Sequence, residues 1–112
     1  MQPGKVLERK VFYAGQKIFG EGEAGDRAYI IQDGTVEITK NGVTLARLNK
    51  GELFGEMALV DDMPRMATAK AASDVSVVII SRDTFREKLA KADPFIRGLL
   101  SIFVRNIRNL TR

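Results

Sequence analysis

The first 80 residues consist of short apolar segments that are separated at regular intervals by turn-forming, glycine-containing pairs. Short strands with frequent turns are typical of a β-sandwich or a β-roll. The Asp33-Gly34 and Asn41-Gly42 pairs are the strongest turn signals, because both residues of a two-residue hairpin turn adopt positive φ. We therefore predict a hairpin at each pair. The expected strands are 11–13, 17–19, 28–32, 35–39, 43–48, 67–72 and 75–80.

Residues 20–26 are too rich in glycine and acidic residues for a regular element. Within them, the Gly25-Asp26 pair is interpreted as a tight turn with an Asx-type hydrogen bond. The aromatic residues on either side, Phe12 and Tyr29, are expected to lie in the core.

After residue 80 the apolar residues recur at helical spacing. Ser81 can cap a first helix, and Asp93-Pro94 can open a second helix with Asp as the cap and Pro at the first helical position. We therefore predict one mainly β domain over 1–112, with a β region at about 10–81 and C-terminal helices at about 82–111. The second helix carries a broad apolar stripe, formed by Phe95, Ile96, Leu99, Leu100, Phe103, Ile107 and Leu110.

The composition limits the chemistry that is available to the chain. It contains no cysteine, which excludes disulfides and thiolate metal sites, and no histidine, the commonest general base and metal ligand. No apolar segment approaches the roughly 20 residues of a membrane span, and no signal peptide is evident. We therefore expect a soluble, cytoplasmic protein.

The net charge is +4, and no acidic residue follows Asp93, whereas four arginines do. These cations could contact nucleic acid, an anionic surface or an acidic partner, or they could form a solvated face that suits the C-terminal end of a helix. Direct nucleic-acid binding is the weakest of these alternatives, because no exposed aromatic residues are interleaved with the arginines.

One segment in the middle of the chain combines groups suited to a phosphorylated ligand. Gly55 permits close approach of the backbone and precedes a short predicted helix, whose first N–H groups favour an anion. Nine residues after Glu56, Arg65 offers a planar guanidinium for a phosphate, and Pro64 restricts the loop that carries it. The Glu56 carboxylate would repel a bare phosphate, so we expect a ligand that also presents a hydroxyl, such as a ribose beside a cyclic phosphate.

This segment closely resembles the phosphate-binding cassette of cyclic nucleotide-binding domains, which occur in catabolite activator protein and in protein kinase A regulatory subunits. The cassette match consists of the runs Phe54-Gly55-Glu56-Met57-Ala58-Leu59 and Pro64-Arg65-Met66-Ala67-Thr68. The resemblance covers about 10–90 and includes Gly15, Ile18, Gly22, Gly25, Asp26, Tyr29, Ile31, Gly34, Val36 and Phe85. It implies a β-roll of the double-stranded β-helix or jelly-roll type, with a short cassette helix.

The resemblance also implies a regulatory sensor that binds a cyclic nucleotide and is not an enzyme. Arg65 would hold the phosphate oxygens and Glu56 the ribose 2′-OH. The other ligand-binding positions would be Gly55, Met57, Ala58, Met66 and Ala67. Because cGMP-preferring members often carry threonine at the position of Met66, cAMP is favoured over cGMP. Neither a metal ion nor a catalytic cofactor is expected.

In this family the last helix often closes over the base or pairs across a dimer. Ile107 and Arg108 are accordingly candidates for a base lid, and a homodimer through the helix is an alternative, as is simple packing of the stripe on the roll. The output would pass to an unidentified effector protein or to an effector domain outside the chain.

Two other functions compete with this interpretation. A degenerate, nucleotide-free scaffold that acts through protein contacts is disfavoured by the presence of both Glu56 and Arg65. An enzyme of the cupin type would require a histidine-rich metal site, which this sequence lacks.

Overall fold

The computed structural model of the chain describes residues 7–111, and the side chains of 7–103, 105 and 106. Eight strands, a short 3₁₀ helix and two α-helices follow one another along the chain. They are β1 (Glu8–Phe12), β2 (Lys17–Phe19), β3 (Arg27–Asp33), β4 (Val36–Lys40), β5 (Val43–Leu48), β6 (Leu53–Phe54), the 3₁₀ helix (Glu56–Leu59), β7 (Thr68–Ala71), β8 (Val75–Ser81), α1 (Arg82–Ala90) and α2 (Pro94–Thr111).

The strands form two four-stranded antiparallel sheets, ordered β1-β8-β3-β6 and β2-β7-β4-β5. Successive strands mostly alternate between the sheets, so the chain winds around a shared interior. The architecture is a β-roll followed by two helices, and the predicted fold class is confirmed.

The two predicted hairpins have different outcomes. Asn41 and Gly42 both have positive φ, 52° and 78°, and join the paired strands β4 and β5, as expected. The hairpin at Asp33-Gly34 is wrong, because Asp33 pairs with Ser76 in one sheet and Val36 with Ala71 in the other. The chain crosses between the sheets here, which lets β3 and β4 bury residues from opposite sides of the core.

Side chains from both sheets fill the interior, and four of them are aromatic: Phe12, Phe19, Tyr29 and Phe54. The rings of Tyr29 and Phe54 are stacked at 5.0 Å, and Phe12 meets Tyr29 edge-on at 6.5 Å. Such arrangements add to the burial of apolar area, which is the main stabilising contribution. The expectation that Phe12 and Tyr29 are core residues is confirmed.

Both helices begin as the sequence predicts. The Ser81 Oγ accepts a hydrogen bond from the Thr84 N–H at 3.1 Å, and Asp93 Oδ1 accepts one from the Phe95 N–H at 2.8 Å. α1 packs on the 3₁₀ helix and β8. A bilayer-spanning helix is absent from the described residues, since none combines the needed length with sufficient apolar character.

Candidate functional site

The 3₁₀ helix begins at a glycine because the backbone there is left-handed. Gly55 has φ +74°, and it follows the buried Phe54 that ends β6. A Cβ at Gly55 would lie 3.0 Å from Nη1 of Arg65 and 3.3 Å from the carbonyl oxygen of Arg27. Glycine therefore provides both the turn into the helix and the space for the arginine beside it.

The Arg65 guanidinium is held by backbone and by an aromatic ring. Nη1 donates to the carbonyl of Gly55 at 3.3 Å, and Nη2 donates to the carbonyl of Arg27 at 2.9 Å. Its Cζ lies 3.9 Å from the centre of the Phe19 ring. The Nε atom is buried and has no hydrogen-bond partner among the described residues. Burial lowers the pKa of Arg65, but a guanidinium stays protonated in proteins.

The glycine-rich loop before β3 positions the backbone of Arg65. The Arg65 N–H donates to the Glu23 carbonyl, and the Gly22 N–H donates to the Arg65 carbonyl, both at 2.8 Å. The loop is itself held by an ion pair of 2.9 Å between Lys17 and Glu23. The backbone of Gly20 and the Lys17 ammonium lower the pKa of the Glu23 carboxyl. The loop therefore fixes the backbone position of Arg65.

Gly25 has a role that the sequence did not reveal. The predicted tight turn at Gly25-Asp26 is wrong, since the segment is irregular backbone that leads into β3. A Cβ on Gly25 would lie 2.6 Å from Nη2 of Arg65, so the backbone packs directly on the guanidinium. The Asp26 carboxylate instead lies 3.6 Å from Nε of Arg27. The family pattern includes Gly25, but it did not indicate this contact with Arg65.

A cavity of about 510 Å³ adjoins these groups, and we call it the main cavity. All seven ligand-binding positions predicted from the sequence line it: Gly55, Glu56, Met57, Ala58, Arg65, Met66 and Ala67. The rest of the wall is largely apolar and includes Ile38, Leu45, Leu48, Leu53 and Met63. The cavity therefore joins a charged end to an apolar surface, which suits a ligand with an anionic group and a flat apolar part.

The Glu56 carboxylate is available as an acceptor in this cavity. Glu56 is half-buried, and within residues 7–111 its side chain makes neither a hydrogen bond nor an ion pair. An ionised carboxylate is only an acceptor, so it suits a ligand hydroxyl.

Arg82, at the start of α1, is a second residue that sequence reasoning missed. Its Nε donates to the Ala58 carbonyl at 2.7 Å, and its Nη2 donates to the carbonyls of Asp61 at 2.7 Å and Gly25 at 2.9 Å. Its backbone N–H also donates to the Asp26 carbonyl at 2.7 Å. One side chain thus links α1 to the end of the 3₁₀ helix and to the backbone that packs on Arg65.

The predicted lid residues Ile107 and Arg108 lie in α2, but their side chains are outside the described part of the structure. Earlier in the helix the apolar stripe is exposed, with 73% of Phe95 and 52% of Phe103 accessible. A groove of about 280 Å³ lies between the 3₁₀ helix, α1 and α2, and is bordered by Leu59, Phe85 and Leu100.

The sequence model of the cyclic nucleotide-binding domain family matches residues 9–92 of the chain. Among curated proteins, the cAMP-dependent protein kinase regulatory subunit of Debaryomyces hansenii is 38% identical over 94 residues. This match covers 83% of the chain and 21% of that protein. The chain thus spans about a fifth of the length of the curated relatives it matches.

Among solved structures, the halfsite-occupied form of the EAL enzyme Bd1971 matches with a TM-score of 0.83 and 35% identity. That match covers 96% of this chain and 100% of that chain. The cAMP-bound form (TM-score 0.73, 36% identity) and the cGMP-bound form (0.76, 37%) each match over 93% of this chain and 29% of the other. The resemblance inferred from the cassette is confirmed.

Proposed function

Because the chain belongs to the cyclic nucleotide-binding domain family, we propose that it binds a cyclic nucleotide in the main cavity as a regulatory sensor, without catalysis of its own. The observation that carries this proposal is the number of Arg65 donors that remain without an acceptor. Its guanidinium lines the cavity, yet only two of its five N–H groups have acceptors among the described residues. The remaining donors of a cation beside a cavity are suited to an anionic ligand, because charge-assisted hydrogen bonds contribute about 1.5–3 kcal/mol each.

In this proposal each part of the cavity binds one part of the nucleotide. Arg65 and the first amides of the 3₁₀ helix hold the cyclic phosphate, and Glu56 accepts a hydrogen bond from the ribose 2′-OH. The backbone groups of Gly55, Met57 and Ala58 complete the polar end. Met66 and Ala67 continue the wall toward the apolar side, where the base would lie against aliphatic side chains.

We propose cAMP as the preferred ligand, with cGMP as a weaker one. Met66 offers no hydroxyl to hydrogen-bond a guanine, and the aliphatic wall favours neither base. A related protein, the EAL enzyme Bd1971, has been solved in cAMP-bound and cGMP-bound forms. The preference should therefore be modest.

Occupancy would be transmitted to the helices through Arg82. A ligand shifts the position of α1 only if it favours one arrangement over another. Arg82 supports such coupling, because it binds the carbonyl of Gly25, and Gly25 packs on the phosphate-binding arginine. We propose that the signal passes to an effector protein or to a domain outside the 112 residues. We also propose that the protein is cytoplasmic.

In this scheme the exposed apolar face of α2 is buried against another surface. We propose that the helix either closes over the base with Ile107 and Arg108 or pairs with α2 of a second copy. In the sequence of the helix, apolar residues recur at alternating intervals of four and three: Ile96, Leu100, Phe103, Ile107 and Leu110. This spacing suits either role. Light scattering with and without ligand distinguishes the two, because only pairing doubles the mass.

A thermal melt tests the proposed function directly. At a ligand concentration about 100 times Kd, binding stabilises the folded state by roughly 2.7 kcal/mol, which raises the Tm of a domain of this size by several degrees. We expect a clear increase with cAMP, a smaller one with cGMP and none with AMP. No increase with any cyclic nucleotide would favour the nucleotide-free scaffold instead.

A further inference from the structure

Phe19, at the end of β2, lies between the aromatic core and the main cavity. Its ring is 9% exposed and packs at 6.0 Å against the rings of both Tyr29 and Phe54. Its other neighbour is the Arg65 guanidinium, whose Cζ lies 3.9 Å from the ring centre. The ring also lines the main cavity. It is therefore the point at which the core meets the cation that we assign to the phosphate.

The contact constrains the guanidinium more than an ion pair at the surface would. A planar guanidinium above an aromatic face gains electrostatic attraction. The contact also limits how far the plane that contains its N–H donors can turn. Among residues 7–111 no carboxylate is in ion-pair contact with Arg65. Its position is instead determined by the Phe19 ring, the Gly25 backbone and the carbonyls of Gly55 and Arg27. Of these, only the ring belongs to a side chain.

We infer that Phe19 is a positioning residue for nucleotide binding: its ring orients the Arg65 guanidinium before the ligand arrives. This inference rests on the proposed function, since it assumes that Arg65 binds the cyclic phosphate. Phe19 itself has no polar atom to offer the ligand. It contributes affinity by reducing the orientations that the arginine must give up on binding. The ring thus acts through Arg65.

Two substitutions separate this role from simple core packing. Phe19→Leu removes the aromatic face but keeps an apolar side chain, whereas Phe19→Tyr keeps the face. Phe12→Leu is the matched control, because Phe12 is an equally buried core aromatic that contacts Tyr29 and does not line the main cavity. Thermal melts of the ligand-free variants establish that each remains folded.

The first readout does not depend on any ligand. Protons above an aromatic ring are shielded, so the Nε–H resonance of Arg65, assigned by its loss in Arg65→Lys, should lie upfield in the parent protein. We expect it to move downfield in Phe19→Leu and to stay in place in Phe19→Tyr and Phe12→Leu. An unchanged resonance in Phe19→Leu would overturn the inference.

The second readout is the affinity for cAMP by calorimetry. We expect Phe19→Leu to weaken binding roughly 3- to 30-fold, the range of a cation–π contact, with Phe19→Tyr and Phe12→Leu close to the parent. An equal loss in Phe19→Leu and Phe12→Leu would mean that core packing alone is responsible, and would overturn the inference by itself. If the parent protein binds no cyclic nucleotide, the proposed function fails, and with it the role of Phe19 in binding.

Discussion

The backbone of Gly25 packs so closely on Arg65 that a Cβ at this position would lie 2.6 Å from the arginine Nη2. The glycine is required for space and not for its conformation, since its φ is not in the left-handed region. Its carbonyl accepts a hydrogen bond from Arg82 at 2.9 Å. Gly25 therefore lies between the cation of the candidate site and the residue that ties the site to α1.

Gly25→Ala should weaken cAMP binding while leaving the fold intact. The three atoms nearest to the added methyl carbon all belong to the Arg65 side chain, so the backbone need not move. The Tm of the free protein should fall only by the guanidinium contacts that are lost. The guanidinium must move, and we expect a loss of about tenfold in affinity, equivalent to one charge-assisted hydrogen bond. Calorimetry measures the affinity for cAMP. Gly98→Ala is the control, because it adds the same methyl group in α2, where nothing lies within 4 Å of the Cβ position. Parent-like affinity in Gly25→Ala would contradict the proposed arrangement.

Arg65→Ala should remove most of the affinity for cAMP. The guanidinium supplies charge-assisted hydrogen bonds worth about 1.5–3 kcal/mol each, so the loss of two amounts to roughly 100-fold or more. Arg65→Lys should recover part of it, because a lysine keeps the charge but not the fork. Arg27→Ala provides the control, since Arg27 contacts Arg65 through its carbonyl, which the substitution retains. Titration of all three with cAMP gives the comparison.

Glu56→Gln tests the hydroxyl acceptor. An amide still accepts one hydrogen bond but without charge, so we expect cAMP to bind about tenfold more weakly. A ligand that lacks the 2′-hydroxyl makes the test specific. If Glu56 accepts from that hydroxyl, 2′-deoxy-cAMP should bind the parent and Glu56→Gln with similar affinity. If 2′-deoxy-cAMP instead binds Glu56→Gln much more weakly than it binds the parent, Glu56 contacts another part of the ligand.

The Glu23 carboxyl should make stability depend on pH in the acid range. The backbone of Gly20 and the side chain of Lys17 lower its pKa from 4.5. A group with a lowered folded-state pKa stabilises the protein above its unfolded pKa, and the contribution disappears as the pH falls through the folded value. The Tm difference between the parent and Glu23→Gln should therefore be present at pH 6 and shrink below pH 4.5. Glu21→Gln is the control, because within residues 7–111 the Glu21 carboxylate makes neither a hydrogen bond nor an ion pair. The same trend in both variants would contradict the assignment to Glu23.

Local signals in the sequence identified most strands, both helix caps and the cassette. They worked where the cause is local: Asn41-Gly42 makes a turn by its own conformational preference, and Ser81 caps its own helix. They failed at Asp33-Gly34, because whether a turn joins paired strands or crosses between sheets depends on which faces are buried. The same limit explains why Gly25 and Arg82 were missed.

Their roles depend on segments that are distant in sequence. Arg82 reaches Ala58 across 24 residues and Gly25 across 57, and no spacing rule connects them. The family pattern identified the groups suited to the ligand. It did not reveal the backbone and ring that orient Arg65.

Gly34→Ala tests the crossing between the sheets. Gly34 has φ +96°, and a Cβ there would overlap the Asp74 carbonyl oxygen and lie 2.8 Å from the Cα of Val75. Both obstacles are backbone atoms, one just before β8 and one at its first residue, so relief requires the backbone to move. We expect a loss of about 2–4 kcal/mol in the free energy of unfolding, from conformational strain plus overpacking.

Gly42→Ala isolates the conformational part of this cost. Gly42 also has positive φ, at +78°, but nothing lies within 4 Å of its Cβ position. Its substitution should cost about 1 kcal/mol, the strain alone. Urea denaturation of both variants measures the difference, and equal losses would mean that Gly34 is retained only for its φ. A clearly larger loss at Gly34 would establish that the crossing depends on close packing of this glycine against β8, because strain of the backbone is common to both substitutions.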